Sequence, residues 1–132
     1  MPPSVAVVGA GAVGCYFGGM LARAGVPVTL IGRAAHMDAI SLDGLFLDGI
    51  SIQERIPVAA TTSLEDGVRV ADIVLFCVKT VSTESTAWEI APYLAPHAAI
   101  LSLQKWRRQC RPHPARDWAA CDSGGRCMWR LR

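Results

Sequence analysis

With 132 residues and 52% apolar composition, the chain has room for one domain and ample material for its core. Its five cysteines do not suggest a disulfide framework, and Cys121 and Cys127 with His113 lack zinc-site spacing, so no metal site is expected. The formal net charge of +2 conceals a split: residues 1–104 hold 5 basic and 9 acidic side chains, whereas residues 105–132 hold 8 basic and 2 acidic ones.

Val5-Ala6-Val7-Val8 reads as the end of a buried strand starting at Ser4, of the continuous apolar kind found where helices cover both faces of a parallel sheet. A glycine-rich turn follows, then a helix over 12–24, with Tyr16, Met20 and Leu21 among its packing residues and Gly25-Val26-Pro27 ending it. Val28 to Ile31 is the second strand, and 34–42 a short helix. Leu45-Phe46-Leu47 and the stretch 50–58 read as a hairpin around Asp48-Gly49. Ser63 caps a short helical turn, with Asp66 three residues on. The run 72–78 is a strong buried strand, 81 or 82 to 91 a helix stopped by Pro92, and 98–103 another apolar strand. There are no internal repeats. Strands alternating with helices predict an α/β fold: a Rossmann-type, doubly wound, mainly parallel sheet, left incomplete at its far end and carrying a β-hairpin insertion. The carboxyl ends of its strands share one edge, and ligands bind there, where the strand order reverses.

The chemistry gathers at that edge. Gly9-Ala10-Gly11-Ala12-Val13-Gly14 is a Gly-x-Gly-x-x-Gly turn between a strand and a helix, the context in which the pattern signifies dinucleotide binding. Gly9 permits the turn, Gly11 lets the backbone approach a pyrophosphate, and Gly14 lets helix and strand pack closely. The free N–H groups and the dipole at the helix start then face the phosphates. After the second strand, Gly32-Arg33 stands where NAD-preferring proteins place an acid for the ribose 2′-hydroxyl. A guanidinium can clamp a 2′-phosphate that a carboxylate would repel, which favours NADP over NAD. His36 is a weaker addition to the same place. Lys79 directly follows a buried strand, within reach of a ribose hydroxyl or a phosphate oxygen, and Gln104 ends the last clear strand, near the nicotinamide. Cys15 and Cys77 read as small core residues in a reducing compartment. No motif places a carboxylate pair, a Ser-His-Asp or a Cys-His arrangement, so no catalytic residue is assigned.

The stretch VAVVGAGAVGCYFGGMLARAGVPVTLIGR, from Val5 to Arg33, closely resembles the start of ketopantoate reductases (2-dehydropantoate 2-reductases). ADIVLFCVKT and AAILSLQ resemble the same family, and the similarity runs over about residues 4 to 104. It implies an NADPH-dependent reduction of 2-dehydropantoate to pantoate, on the route to pantothenate and coenzyme A. By that resemblance Gly9 to Gly14 bind the pyrophosphate, Arg33 the 2′-phosphate and Lys79 the ribose side. The protonating lysine would lie on a C-terminal helical domain that is absent here, so this chain alone is expected not to reduce ketopantoate. Readings that compete with this one are another NADP-dependent 2-oxoacid reductase and a non-catalytic nucleotide-binding module.

The domain organisation expected is therefore a dinucleotide-binding domain over 1–104 and a basic tail over 105–132. The tail's 28 residues hold 3 of the 4 Trp and 3 of the 5 Cys, but no Val or Ile and one Leu, too little to order a strand or helix in the sheet. Family members usually continue Leu-Gln with Asn-Gly-Val; here Leu103-Gln104 is followed by Lys105-Trp106-Arg107. Codons AAA TGG CGT CGA CAA TGC for Lys105 to Cys110, less one A, read Asn-Gly-Val-Asp-Asn. The tail is thus expected to be a disordered frameshift product, with a basic arm for nucleic acid as the less favoured alternative. The chain lacks the basic start of a signal peptide, and five glycines between Gly9 and Gly19 argue against a membrane span. A soluble cytoplasmic protein acting on a small 2-oxoacid is expected, of undetermined oligomeric state.

Overall fold

The structure is a computed structural model and describes residues 2–78, 83–103, 118–121 and 127–130. In chain order the elements are β1 (Val5–Val8), α1 (Ala12–Arg23), β2 (Val28–Ile31), α2 (Ala34–Asp43), β3 (Leu45–Asp48), β4 (Gln53–Ile56), β5 (Ala59–Thr61), α3 (Leu64–Arg69), β6 (Ile73–Phe76), α4 (Thr83–Ile90), a single 3-10 turn (Ala91–Tyr93), β7 (Ala99–Ser102), β8 (Trp118–Cys121) and β9 (Cys127–Arg130). One seven-stranded sheet runs β5-β2-β1-β6-β7-β9-β8, and β3 and β4 form a separate antiparallel pair. β5, β2, β1, β6 and β7 run parallel to one another.

The alternation of β1 sorts the core into two layers. Val5 and Val7 face a cluster with Leu30 and Leu75 of the sheet, Cys15 of α1, Met37 and Ile40 of α2, and Leu45, Leu47 and Ile56 of the hairpin. Ala6 and Val8 face the other cluster, with Val68 of α3, Val74 and Phe76 of β6, Ile90 of α4 and Ile100 of β7. Because both faces are covered, the central strands carry apolar residues at every position. α1 is pressed between sheet and hairpin: a Cβ on Gly18 would meet a methyl of Leu30 at 2.7 Å, and one on Gly19 would meet methyls of Leu45 and Leu47 at 2.9 Å. The Ser63 cap forms as the sequence predicts, its hydroxyl accepting from Asp66 N–H at 3.2 Å.

Three expectations need correction. The stretch 50–58 is not one hairpin arm: β4 stops at Ile56, Pro57 cannot donate to a ladder, and Ala59–Thr61 leaves the hairpin to become the parallel edge strand β5 beside β2. Tyr16 does not pack into the core; it is 51% exposed and meets Phe17 edge to face at 5.5 Å. The tail was expected to add no regular strand, yet β9 pairs antiparallel with β7 and β8 pairs with β9. The unpaired N–H and C=O groups along β7 form a template that accepts a strand of poor intrinsic β character, a tertiary effect that composition does not register.

Candidate dinucleotide site

From β1 the sheet grows to one side through β2 and β5, then returns to the other side through β6 and β7, so the order reverses between β1 and β6. Gly9 lies directly after β1 with φ +94°, a conformation that L side chains rarely adopt. A Cβ there would stand 2.8 Å from backbone atoms of Cys77 and Val78, just past β6. A Cβ on Gly14 would collide with the Gly9 carbonyl oxygen. The loop is tied down by its backbone. Gly9 and Ala10 N–H both donate to the Ile31 carbonyl, at 3.0 and 3.1 Å, Gly11 N–H donates to the Gly9 carbonyl at 2.9 Å, and Cys77 N–H donates to the Val8 carbonyl at 2.8 Å.

Gly11 differs from these two glycines. Its φ of −82° and ψ of −165° suit any residue, and nothing lies within 4 Å of where a Cβ would be. Neither conformation nor packing within the described residues calls for glycine; a Cβ would only fill the open space at the start of α1. That space lies against an uncapped helix end. Gly11 is the N-cap and supplies no side-chain bond, the first turn holds no acidic residue, and the first intrahelical bond is Cys15 N–H to the Gly11 carbonyl at 2.9 Å. The N–H groups of Ala12, Val13 and Gly14 therefore have no intrahelical acceptor, and the positive end of the helix dipole lies there. α3, in contrast, has its Ser63 cap and Glu65 and Asp66 in its first turn.

Arg33 is the N-cap of α2, two residues beyond the Ile31 carbonyl that holds the glycine loop. The guanidinium is exposed and makes no hydrogen bond or ion pair among the described residues. Gly32 fixes its approach, donating its N–H to the Thr61 carbonyl at 3.3 Å and lying against Met37 and Ala10. His36 is exposed, one turn further along α2. The structure thus brings Gly9, Ala10, Gly11, Ala12, Val13, Gly14 and Arg33 to one edge. Lys79 and Gln104 lie outside the described residues. The sequence reading missed the roles of Ile31 and Thr61, whose carbonyls hold the loop and Gly32. Main-chain acceptors leave no trace in residue type, although Ala59–Thr61 before the Ser63 cap was a weak signal of a strand.

Two thiols lie beneath the loop. Cys15 Sγ is 3.3 Å from the Ala10 carbonyl, to which it donates, and burial raises its pKa. Burial, with a smaller contribution from Cys15, pushes the Cys77 thiol up to about 11. Both are neutral at physiological pH, so the floor of the site carries no charge that would repel a phosphate. Among the described residues no group of three or more His, Cys, Asp or Glu could hold a metal ion, and no helix is long and apolar enough to cross a membrane.

Residues 5–105 match the family model described as Ketopantoate reductase PanE/ApbA. The chain belongs to that family. A crystal structure of a PanE/ApbA family ketopantoate reductase from Ralstonia eutropha JMP134 is 50% identical and superposes with a TM-score of 0.69, over 72% of this chain and 32% of that one. The 2-dehydropantoate 2-reductase of Pyrococcus horikoshii is 39% identical over 98 residues, which is 74% of this chain and 31% of the relative. A glycerol-3-phosphate dehydrogenase [NAD(P)+] of Streptomyces avermitilis is 34% identical over 108 residues, 79% of this chain and 32% of the relative. The chain spans about a third of the length of these relatives. The matched residues 5–105 of this chain contain the glycine loop, Arg33 and the strands from β1 to β7.

Proposed function

We propose that this chain is the dinucleotide-binding part of a cytoplasmic NADPH-dependent reductase acting on 2-dehydropantoate, a small 2-oxoacid. The observation that carries the reading is the open space over Gly11, bounded by the uncapped start of α1 and lying on the same edge as Arg33, whose guanidinium has no partner among the described residues. The N–H groups of Ala12, Val13 and Gly14 hold the pyrophosphate, with Gly11 leaving room for its approach. Arg33 clamps the 2′-phosphate with charge-assisted hydrogen bonds. By the family resemblance we assign Lys79 to the ribose side of the cofactor, and by its place just after β7 we assign Gln104 to its nicotinamide side. Bound NADPH supplies the hydride that reduces the substrate's C2 ketone. The residues of this chain orient that cofactor; the proton donor belongs to the part of the relatives' length that this chain does not span. The neutral core thiols Cys15 and Cys77 fit a reducing compartment.

Titration of the 132-residue chain with NADPH and NADH tests the cofactor. NADPH is expected to bind tighter than NADH, and equal affinities would overturn the role of Arg33. The substrate is tested by adding 2-dehydropantoate to the NADPH complex. No steady NADPH oxidation is expected, because positioning without a general acid forgoes about 10²–10⁴-fold in rate. Turnover at ordinary enzyme rates would contradict the placement of the proton donor. We also propose that residues 105–132 are translated out of the family's frame, a reading supported by the family match ending at residue 105. The genomic DNA around codon 105 tests it: a frame that restores Asn-Gly-Val by one deletion supports it, and one that does not overturns it.

A further inference from the structure

β8 and β9 form an antiparallel hairpin in which Trp118 stands opposite Trp129 and Cys121 opposite Cys127. We propose that Cys121 and Cys127 are a redox pair, which a small-molecule disulfide oxidises to a cross-strand disulfide that locks β8 and β9 together beside β7. The argument concerns the chain as translated and is independent of the dinucleotide site.

Register carries the inference. Continued regularly from the Trp118–Trp129 rung, the ladder would set Ala120 against Cys127. The register shifts between Trp118 and Cys121, and it is this irregularity that brings Cys121 to the Cys127 rung. A one-residue slip exchanges the two faces of a strand, so without the shift the cysteines would stand on opposite faces. Directly opposed residues of an antiparallel pair share a face, with Cα atoms about 4.5–5.5 Å apart. That lies inside the range of roughly 4.4–6.8 Å that a disulfide spans without backbone movement. The connection is the stretch 122–126, Asp-Ser-Gly-Gly-Arg, rich in turn-forming residues. β9 is in turn laddered to β7, with Ala99 opposite Arg130, Ile100 opposite Trp129 and Leu101 opposite Met128. A bond across β8 and β9 therefore fastens to each other the two strands that lie beyond β7.

The chemistry is ordinary thiol–disulfide exchange. One cysteine thiolate attacks a sulfur of the small disulfide and releases one thiol; the second attacks the resulting mixed disulfide and releases the other. The protein dithiol loses two protons and two electrons, and the small disulfide is reduced to two thiols. Cys15 is buried and Cys77 half-buried, so Cys110 is the natural competitor.

The test is oxidation of the native full-length chain with oxidised glutathione, followed by trypsin and mass spectrometry. Trypsin cuts after Arg126, so the proposed bond joins peptide 117–126 to peptide 127–130, whereas Cys110 lies in peptide 109–116. In concentrated guanidinium chloride, loop length alone favours the 121–127 bond over the 110–121 bond by about two- to threefold. The native chain is expected to raise that preference above tenfold. Cys110→Ser should leave the bond in place and Cys121→Ser should abolish it. Amide exchange over 127–130 should slow at least tenfold on oxidation and recover on reduction. A native preference no greater than the denatured one, predominant Cys110 bonds, or thiols that stop at mixed disulfides would overturn the pairing. Unchanged exchange with the bond in place would overturn the locking.

Discussion

The two ends of the parallel sheet use similar polar groups to opposite effect. At the amino end, Ser4 N–H and Oγ donate to Asp72 Oδ2 at 2.9 and 3.1 Å, and Ser4 Oγ also lies 2.6 Å from the Val70 carbonyl. Asp72 N–H donates to Ser4 Oγ at 3.2 Å, and His97 Nε2 lies 2.7 Å from Asp72 Oδ1. These three residues satisfy one another and stitch β1, β6 and the approach to β7 together. At the carboxyl end the start of α1 has no cap and Arg33 has no partner among the described residues. Ser, His and Asp gathered at one place look more like catalytic machinery than a glycine turn does. Their completed bonding marks them as structural, and the groups left unsatisfied mark the binding edge.

The largest effects expected lie among the three glycines of the loop. Gly9→Ala forces a side chain into a left-handed conformation and against the backbone after β6, and should cost about 1–3 kcal/mol or more of stability. Gly14→Ala should also destabilise, because its Cβ meets a carbonyl oxygen that cannot swing aside. Gly11→Ala should leave chemical denaturation within about 1 kcal/mol of wild type. It should nonetheless weaken dinucleotide binding at least tenfold, about 1.4 kcal/mol. If Gly11→Ala destabilises like Gly9→Ala, the glycine serves the fold and the contrast between them fails.

Arg33→Ala comes next. Loss of a hydrogen bond to a charged group is worth about 1.5–3 kcal/mol, so NADPH affinity should fall roughly ten- to a hundredfold. NADH affinity should stay within about twofold and stability should not move, since an exposed arginine with no partner among the described residues holds none of them in place. A parallel loss for both cofactors, measured by titration with each, would show Arg33 to be a general phosphate contact instead.

The smallest effect belongs to the amino end. The Ser4 N–H bond first, then the bonds from His97 and the Ser4 hydroxyl, hold the Asp72 carboxyl below the usual aspartate range. A carboxylate with a depressed pKa in the folded state adds stability above its unfolded pKa and loses it as pH falls through the folded one. Stability of the wild type should therefore decline more steeply in acid than that of Asp72→Asn, with the two curves parallel at neutral pH. Dinucleotide affinity should be the same in both. A change in affinity would mean that the two ends are coupled.

Sequence and structure agree best where the signal is local and the residue itself carries it. The glycine loop, the Ser63 cap and the runs around Val74 and Ile100 were legible because steric need, capping chemistry and apolar continuity are properties of residue type. β5 was not legible: Ala59–Thr61 has little apolar bulk, and its strand character comes from the edge of β2. Nor was the pairing of β9 with β7, where an open edge outweighs composition. In the site, Arg33 could be read from the missing acid, whereas the hold of the Ile31 and Thr61 carbonyls on loop and Gly32 could not, because every residue has a carbonyl. The tie of Ser4, Asp72 and His97 was also hidden, joining residues as many as 68 positions apart by a fold that had first to bring them together.

The most direct test of the binding edge is an amide chemical-shift titration of the chain with NADPH. The account predicts saturable shifts at Gly9, Gly11, Ala12, Val13, Gly14 and Arg33, with Ser4, Asp72 and His97 unmoved. Saturable shifts centred on the amino end, or none at the glycine loop at millimolar NADPH, would contradict it.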